Sequence, residues 1–260
     1  MNKIFQIIMW LVIFTGIIFL LSFAVTDHKQ ATCTSVNISF TDQAQKSFID
    51  EEGIKNLITT DFDTLTGGLL DSINTSAIAS TLTANPYIRK AAVFESVSGN
   101  IEIEVERELP LVRIINKNHE NFYLAQSGTV LPVSKSFTPH VLIASGDLDD
   151  NFKSVKESTF SYNSEIEAAQ HTMSSAHYIA AAIENHPYLN SHIEQIYFNK
   201  SGNIELVPAD GDHIIVLGDV VDLSKKISNL MAFYQAGKPA VRDGYQVVNL
   251  KYTNQVVCKK

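Results

Sequence analysis

Apolar side chains and carboxylates alternate in the stretch Asn100-Ile-Glu-Ile-Glu-Val-Glu106. Successive side chains of a β-strand point to opposite faces, so this pattern predicts a strand with its β-branched residues in a core and its glutamates in water. The preceding Ser98-Gly99-Asn100 is a turn sequence, and it joins this strand to another predicted over 88–97. The two strands are therefore predicted to form one antiparallel hairpin.

One strand and two helices are predicted upstream of the hairpin. Val36–Phe40 alternates like a half-buried strand. Asp50 can cap a first helix and Asn74 a second, while Pro86 ends the second because proline cannot continue a helix. The predicted order over 33–107 is strand, helix, helix, strand, strand, which suits one small domain.

A second, β-rich domain is predicted over 108–260. Ser164 and Glu167 have the spacing of a capping box and predict a helix that stops at Pro187, and Asp222 can cap a last helix. The segment 145–163 is polar, and an irregular structure is expected there. The predicted strands are 111–115, 122–125, 193–198, 203–207, 214–217, 246–252 and 255–259, with a turn at 128–132 entering a further one.

A short pattern occurs in both domains. Pro86-Tyr87 followed by Ser98-Gly-Asn-Ile-Glu102 recurs as Pro187-Tyr188 followed by Ser201-Gly-Asn-Ile-Glu205. The pattern predicts the same helix-to-hairpin unit in both places. Convergent turn chemistry explains the recurrence as well as duplication does.

An apolar segment without charged residues covers 4–25. A helix of this length spans the hydrocarbon core of a bilayer, about 30 Å thick, so a transmembrane helix is predicted. Lys3 and the amino terminus favour a cytosolic location for residues 1–3, with the rest of the chain outside. The alternative is a cleaved signal peptide with Ser22-Phe23-Ala24 as the cleavage site, although the apolar run is longer than a signal core.

Composition argues against nucleic acid as a ligand. The 260 residues carry a formal net charge of −8, whereas a nucleic-acid-binding protein presents a basic face to the phosphates.

The two cysteines, Cys33 and Cys258, leave two alternatives open: a disulfide in an oxidising compartment, or two unpaired thiols packed as small apolar side chains.

The chain carries no recognisable catalytic motif, so no enzyme activity, cofactor, metal or small-molecule substrate is predicted. His171 and His177 are six residues apart and do not share one helical face as a metal-binding pair would. Asp210-Gly-Asp212-His213 is better explained as a turn between strands than as a cation or acid–base site. Glu102, Glu104 and Glu106 are expected on one solvated strand face.

The carboxyl-terminal strand is the remaining functional candidate. A last strand at a sheet edge offers unpaired backbone N–H and C=O groups for strand addition by a partner. A plain edge strand protected by Lys259 and Lys260 is an equally good interpretation.

In order and spacing, several segments of the chain resemble those of the FtsQ/DivIB family of bacterial cell-division proteins. Each motif is weak alone, but together they cover nearly the whole chain. The segments are Phe48-Ile-Asp-Glu-Glu-Gly-Ile54, Asn85-Pro-Tyr-Ile-Arg-Lys-Ala-Ala-Val93, Ile101-Glu-Ile-Glu-Val-Glu-Arg-Glu-Leu-Pro110, Tyr123-Leu-Ala-Gln-Ser-Gly-Thr-Val-Leu-Pro132 and Val248-Asn-Leu-Lys-Tyr252.

The resemblance implies an α+β protein of the bacterial inner membrane, at the septum, with its folded domains in the periplasm. The domain over 33–107 would be a POTRA domain and that over 108–260 the family's β domain. The protein would be a non-enzymatic scaffold that regulates other division proteins and binds an FtsB-like partner, itself paired with an FtsL-like one. The alternatives are a POTRA-containing periplasmic assembly chaperone or adaptor for envelope proteins, and an anchored periplasmic hydrolase.

The same resemblance implies a partner-binding segment at the end of the chain. Asn249-Leu250-Lys251-Tyr252 is similar to the family's Asp-Leu-Arg-Tyr, and it departs from that pattern at Asn249 and Lys251. The docking role would fall on Tyr252, Thr253, Asn254, Gln255, Val256, Val257, Cys258 and Lys259.

Overall fold

The computed structural model describes residues 3–29, 32–42, 47–62, 65–135, 137–209, 213–236, 244–252 and 255–260. The chain forms two compact units. The first comprises residues 1–43 and 49–107, and the second comprises residues 44–48 and 108–260.

Helix α1 spans Lys3–Lys29 at the start of the chain. Its described apolar side chains, which include Trp10 and Phe14, are exposed. Within the ranges described above, no helix combines the length and the hydrophobicity needed to cross a membrane. The transmembrane helix predicted over 4–25 is therefore not supported by the described part of the chain.

The remainder of the first unit is a three-stranded sheet with two α-helices. Its elements are β1 (Val36–Phe40), α2 (Glu51–Phe62), a 3-10 helix (Leu70–Ser72), α3 (Thr75–Thr83), β2 (Ile88–Glu95) and β3 (Ile101–Arg107). The strand order is β1-β3-β2, with β1 parallel and β2 antiparallel to β3. The predicted order strand, helix, helix, strand, strand is confirmed.

The predicted helix caps and strand alternation are also found in this unit. Asp50 Oδ1 accepts a hydrogen bond from the Gly53 N–H at 2.8 Å, and Asn74 Oδ1 accepts one from the Ala77 N–H at 2.9 Å. These bonds satisfy backbone donors that have no partner within the first turn of a helix. The β-branched residues of β3 are fully buried, as the alternation predicts.

The second unit is built on one large mixed sheet. Its described strands are β4 (Pro110–Ile115), β5 (Asn121–Ala125), β6 (Val130–Leu131), β7 (Leu142–Gly146), β8 (Ile193–Phe198), β9 (Ile204–Pro208), β10 (Ile214–Gly218), β11 (Val247–Asn249) and β12 (Val257–Lys259). These nine strands are ordered β12-β11-β10-β9-β8-β7-β4-β5-β6. Strand β7 is parallel to both of its neighbours, β4 and β8, and β10 is parallel to β11.

Helices cover one face of this sheet and form the core with it. They are α4 (Phe152–Val155), α5 (Glu165–Ala168), α6 (Thr172–Glu184), α7 (Pro187–His192) and α8 (Leu223–Ala236). Buried residues of α6, including Met173 and Ile179, pack in one cluster with buried residues of the sheet, including Ile196 and Ile215.

Two predictions about the second unit were wrong. The segment 145–163 is not wholly irregular, because it contains the end of β7 and helix α4. The helix predicted from Ser164 is interrupted: the Ser164 side chain accepts from the Glu167 N–H at 3.3 Å, but α5 ends at Ala168 and His171 caps a separate helix, α6. Ile166 of α5 is 70% exposed, although the continuous helix expected from the sequence would have placed it on an apolar face.

The recurrent Ser-Gly-Asn turn is found in both units. The Ser96 N–H donates to Asn100 O at 2.8 Å, and the Asn199 N–H donates to Asn203 O at 3.0 Å. Both turns require a positive φ, +82° at Gly99 and +76° at Gly202, which glycine adopts without a Cβ clash. A helix also ends shortly before the Pro-Tyr pair in both units, α3 at Thr83 and α6 at Glu184. The predicted step from there directly to a strand was wrong for the second unit, because Pro187 begins the additional helix α7.

Both cysteines are free thiols, so the alternative of two unpaired, packed thiols describes the structure. Cys33 is buried in the core of the first unit. Cys258 lies in β12 against the core of the second unit, and burial raises the pKa of its thiol.

Candidate functional site

Strand β12 lies at one end of the nine-stranded sheet. It pairs antiparallel with β11, and Val257 lies opposite Asn249 while Lys259 lies opposite Val247. Among the described residues no other strand pairs with β12, so its second side is a free edge.

The hydrogen bonds of β11 show which backbone groups of β12 face this edge. The Ile214 N–H donates to Gln246 O and the Leu250 N–H donates to Val216 O, both at 2.9 Å, so Val248, midway between Gln246 and Leu250, directs its backbone groups to β10. On the other side, Lys259 O accepts from the Gln246 N–H at 2.9 Å. Val247 and Asn249 therefore face β12, and their partners Lys259 and Val257 face β11 in turn. Because backbone direction alternates along a strand, the N–H and C=O of Cys258 point to the free edge.

The side chains of β12 divide between the two faces of the sheet. Val256 and Cys258 pack against the hydrophobic core, which holds the strand in place. Val257 is 42% exposed on the opposite face, and Lys259 is exposed beside it. The strand is thus anchored through one face, while its edge and its other face are accessible.

The remaining residues of the predicted docking segment lie between β11 and β12. Tyr252 is 52% exposed and Gln255 is exposed, and the Gln255 N–H donates to Tyr252 O at 3.4 Å. Thr253 and Asn254 lie outside the described residues. The structure therefore brings Tyr252, Gln255 and β12 together at one end of the sheet.

A cavity of about 200 Å³ lies beside Tyr252, and sequence reasoning did not find it. The amino-terminal turn of α8 lines it through Lys225 and Lys226, and Lys226 Nζ contacts Asp219 Oδ1 at 2.7 Å. Lys251 also lines the cavity, and its ammonium group donates to Asn203 Oδ1 at 2.8 Å. A pair of lysines near a helix start was the available signal, but only the fold places it beside the last strands.

Comparison with protein families identifies both parts of the chain. The model of the family described as FtsQ/DivIB, C-terminal related, matches residues 109–259. The chain belongs to the FtsQ/DivIB family. A POTRA-like domain model matches residues 31–106 of the same FtsQ/DivIB chain. No curated protein matches it. The family consists of non-enzymatic division proteins, so a scaffold role in cell division is the general conclusion.

His177 of this FtsQ/DivIB chain is held by hydrogen-bond contacts within the second unit. His177 is buried, its Nε2 lies 3.0 Å from Ala125 O, and its Nδ1 lies 3.0 Å from the Tyr162 hydroxyl. Burial lowers the pKa of His177 below its ordinary value, which favours the neutral ring. The neutral ring then donates from Nε2 to the carbonyl and accepts the hydroxyl proton at Nδ1.

Two of the three β3 carboxylates that the sequence singled out have polar partners within the first unit. Glu102 accepts a hydrogen bond from Asn37 Nδ2 at 2.8 Å, and Glu106 pairs with Arg89 at 2.9 Å. Residues 210–212 of the Asp-Gly-Asp-His segment lie outside the described residues, and His213 contacts the Tyr234 hydroxyl at 2.9 Å. No cluster of three potential metal ligands occurs in the described ranges.

Proposed function

We propose that this protein is a non-enzymatic scaffold of the division septum that binds an FtsB-like partner, itself paired with an FtsL-like protein, by strand addition at β12. The observation that carries the proposal is the free edge of β12, with the backbone N–H and C=O of Cys258 directed away from β11. A strand added there satisfies groups that otherwise depend on water.

The proposed contact segment is 252–259, from Tyr252 to Lys259. Backbone pairing supplies affinity in strand addition, and alternate side chains supply specificity. Tyr252 offers a large exposed ring at one end of the segment, and such rings are enriched at protein interfaces because they bury much area at little entropic cost. Core packing of Val256 and Cys258 means that β12 is ordered before the partner arrives.

The proposal includes a single-pass anchor in the bacterial inner membrane. The apolar segment 4–25 would span the bilayer, residues 1–3 would be cytosolic, and the domains over 33–107 and 108–260 would be periplasmic. A cysteine-labelling test with a membrane-impermeant reagent checks the topology. In a chain whose Cys33 and Cys258 are replaced by alanine, intact cells should be labelled at Lys260→Cys and not at Asn2→Cys, and the reverse pattern would exclude this orientation.

Affinity capture from cells tests the docking edge. The full chain should retain small single-pass coiled-coil proteins, and a chain truncated after Lys251 should lose them. Capture of outer-membrane barrel proteins would instead favour the assembly-chaperone alternative. Capture that survives the truncation unchanged would show that the docking site lies elsewhere.

Substitutions at a single position separate backbone pairing from side-chain effects. Cys258→Pro removes the outward N–H and should reduce partner capture strongly, because proline cannot donate to an added strand. Cys258→Ala is the matched control, since it keeps that N–H and should retain the partner. Equal capture by both variants would contradict strand addition at this edge.

A further inference from the structure

The face of the large sheet opposite the helices is open over seven strands. The strand registers connect one row of residues across it, and each of them is exposed or partly exposed. The row is Ile115, Ser145, Tyr197, Glu205, Val216, Asn249 and Val257. The neighbouring row, one residue away along each strand, belongs to the core, as at Ile196 and Ile215.

A second row on the open face is rich in aliphatic side chains. It runs through Arg113, Ile143, Gln195, Val207, Ile214, Val247 and Lys259, where Val207 and Ile214 become neighbours when the Leu206–Ile215 register is extended by one residue. Ile214 is 40% exposed, and none of these aliphatic side chains packs against the hydrophobic core. Neighbouring aliphatic side chains that are exposed or partly exposed on a folded unit are a feature of interaction sites.

Arg113 places a positive charge at one end of the second row. It lines a cavity of about 280 Å³ at the far end of the second row. Its Nη2 donates to Asn121 Oδ1 at 3.0 Å, but its Nε is buried without a hydrogen-bond partner. Glu194 lines the same cavity, yet Arg113 forms no ion pair with it or with any other described residue. The Arg113 Cζ also lies 5.8 Å from the centre of the Tyr123 ring, so the described partners of this half-buried guanidinium are an amide oxygen and an aromatic ring. Neither carries a full negative charge, which favours an anionic ligand.

We propose that an acid-bearing apolar segment of the partner that docks at β12 lies across this open face, with a carboxylate at Arg113. This inference rests on the proposed function, because it assigns a second contact to the same partner. The charge of Arg113 selects an acidic segment, and the aliphatic row from Val207 to Val247 selects an apolar one.

Continuity between the edge and the face supports this choice of occupant. Val257 and Lys259 of β12 stand in the two open rows, so a strand added beside β12 extends the same face. Helices already cover the other face of the sheet. The part of the partner that continues beyond the added strand would therefore lie on the open face. Six strand spacings separate β12 from β4, or about 29 Å at roughly 4.8 Å each. A helix of about 19 residues covers that distance.

Binding of the full chain to the purified FtsB-like protein of the same cells tests the aliphatic row. Ile214→Glu should weaken binding about tenfold or more, since it places a charge in an apolar contact. Ile166→Glu is the matched control, because Ile166 is an exposed isoleucine on α5, on the helical side of the unit, and this variant should bind like the wild type. Equal binding by the Ile214→Glu variant and the wild type would overturn the inference.

The salt dependence of binding tests the carboxylate contact. Arg113→Gln should weaken binding several-fold and make it less sensitive to salt. Arg113→Lys keeps the positive charge, so it should retain part of the affinity and part of the salt dependence. Unchanged affinity and salt dependence in Arg113→Gln would contradict a carboxylate at this position.

Two further outcomes separate this inference from its premise and from another occupant. If Cys258→Pro abolishes binding while Ile214→Glu and Arg113→Gln bind normally, strand addition stands and the open-face contact is wrong. If Cys258→Pro binds normally, the proposed edge itself is wrong. If sedimentation shows that the full chain alone dimerises and Ile214→Glu makes it monomeric, the occupant is a second copy and the proposal fails.

Discussion

Ile214 and Ile215 are adjacent in β10 but belong to opposite faces of one sheet. Ile215 is fully buried beneath the helices, whereas Ile214 is 40% exposed on the open face. The two faces share their strands and registers, so they differ only in what covers them. Two isoleucines with the same side chain therefore contribute differently. Ile215 stabilises the fold from the covered face, whereas Ile214 is accessible on the open face.

The largest effect is expected from shortening a side chain on the covered face. Ile215→Ala should lower the free energy of unfolding by about 2–5 kcal/mol, because it removes buried methyl groups and leaves a cavity. Ile214→Ala should change it by less than about 1 kcal/mol, because its side chain retains contact with water. Urea unfolding followed by circular dichroism checks the pair, and equal losses would refute the division between the faces.

A second effect is expected where β7 meets β8. Gly146 lies opposite Phe198 at φ +107°, and a Cβ there would lie 2.1 Å from Phe198 O. Gly146→Ala should therefore destabilise the protein by about 2 kcal/mol or more, through both strain and a backbone clash. Gly202→Ala is the control: its φ is also positive, but no atom lies within 4 Å of the added Cβ, and a loss of about 1 kcal/mol is expected. Thermal unfolding of both variants measures the difference.

A smaller effect concerns the helices of the covered face and depends on pH. Burial lowers the pKa of His177 below its ordinary value of 6.5, so the unfolded chain takes up the proton more readily than the folded one. This group's contribution to stability is complete above about pH 6.5 and is lost as the pH falls below that value. His177→Gln should flatten the dependence measured by urea unfolding between pH 5 and 7. An unchanged slope in that variant would assign the dependence to other groups.

The smallest effect on stability is expected in the middle of the open face. Tyr197 is partly exposed between Ser145 and Glu205, so Tyr197→Thr should change the unfolding free energy by less than about 1 kcal/mol. The same variant should weaken partner binding measurably if the open face is an interface. A loss of several kcal/mol in stability would mean that this face is part of the core.

Local signals account for the parts of the fold that the sequence predicted correctly. The hairpin of the first unit follows from the period-two pattern of β3 and the turn at Gly99, both of which involve residues close in the chain. Helices α2 and α3 likewise follow from caps within one turn, at Asp50 and Asn74. Such interactions have the same geometry in any fold, so a single sequence is enough to recognise them.

Non-local pairing accounts for what was missed. Strand β7 is held between β4 and β8, whose registers join Ala144 to Ile114 and Ile196. Both partners lie tens of residues away, so the short run around Ala144 carries no local sign of its place in the sheet. The break before α6 was missed for a different reason: its cap is local, with His171 Nδ1 accepting from the Met173 N–H at 3.2 Å, but histidine is not among the usual N-cap residues.

For the candidate site, the sequence by itself predicted a strand over 255–259 and showed motifs that resemble those of FtsQ/DivIB. The tertiary structure decided that this strand is the last of nine, and that Cys258 directs its backbone outward. It also decided which of Ile214 and Ile215 meets water. Alternation along a strand defines two faces, but only the packing of helices brought from distant parts of the chain determines which face is covered.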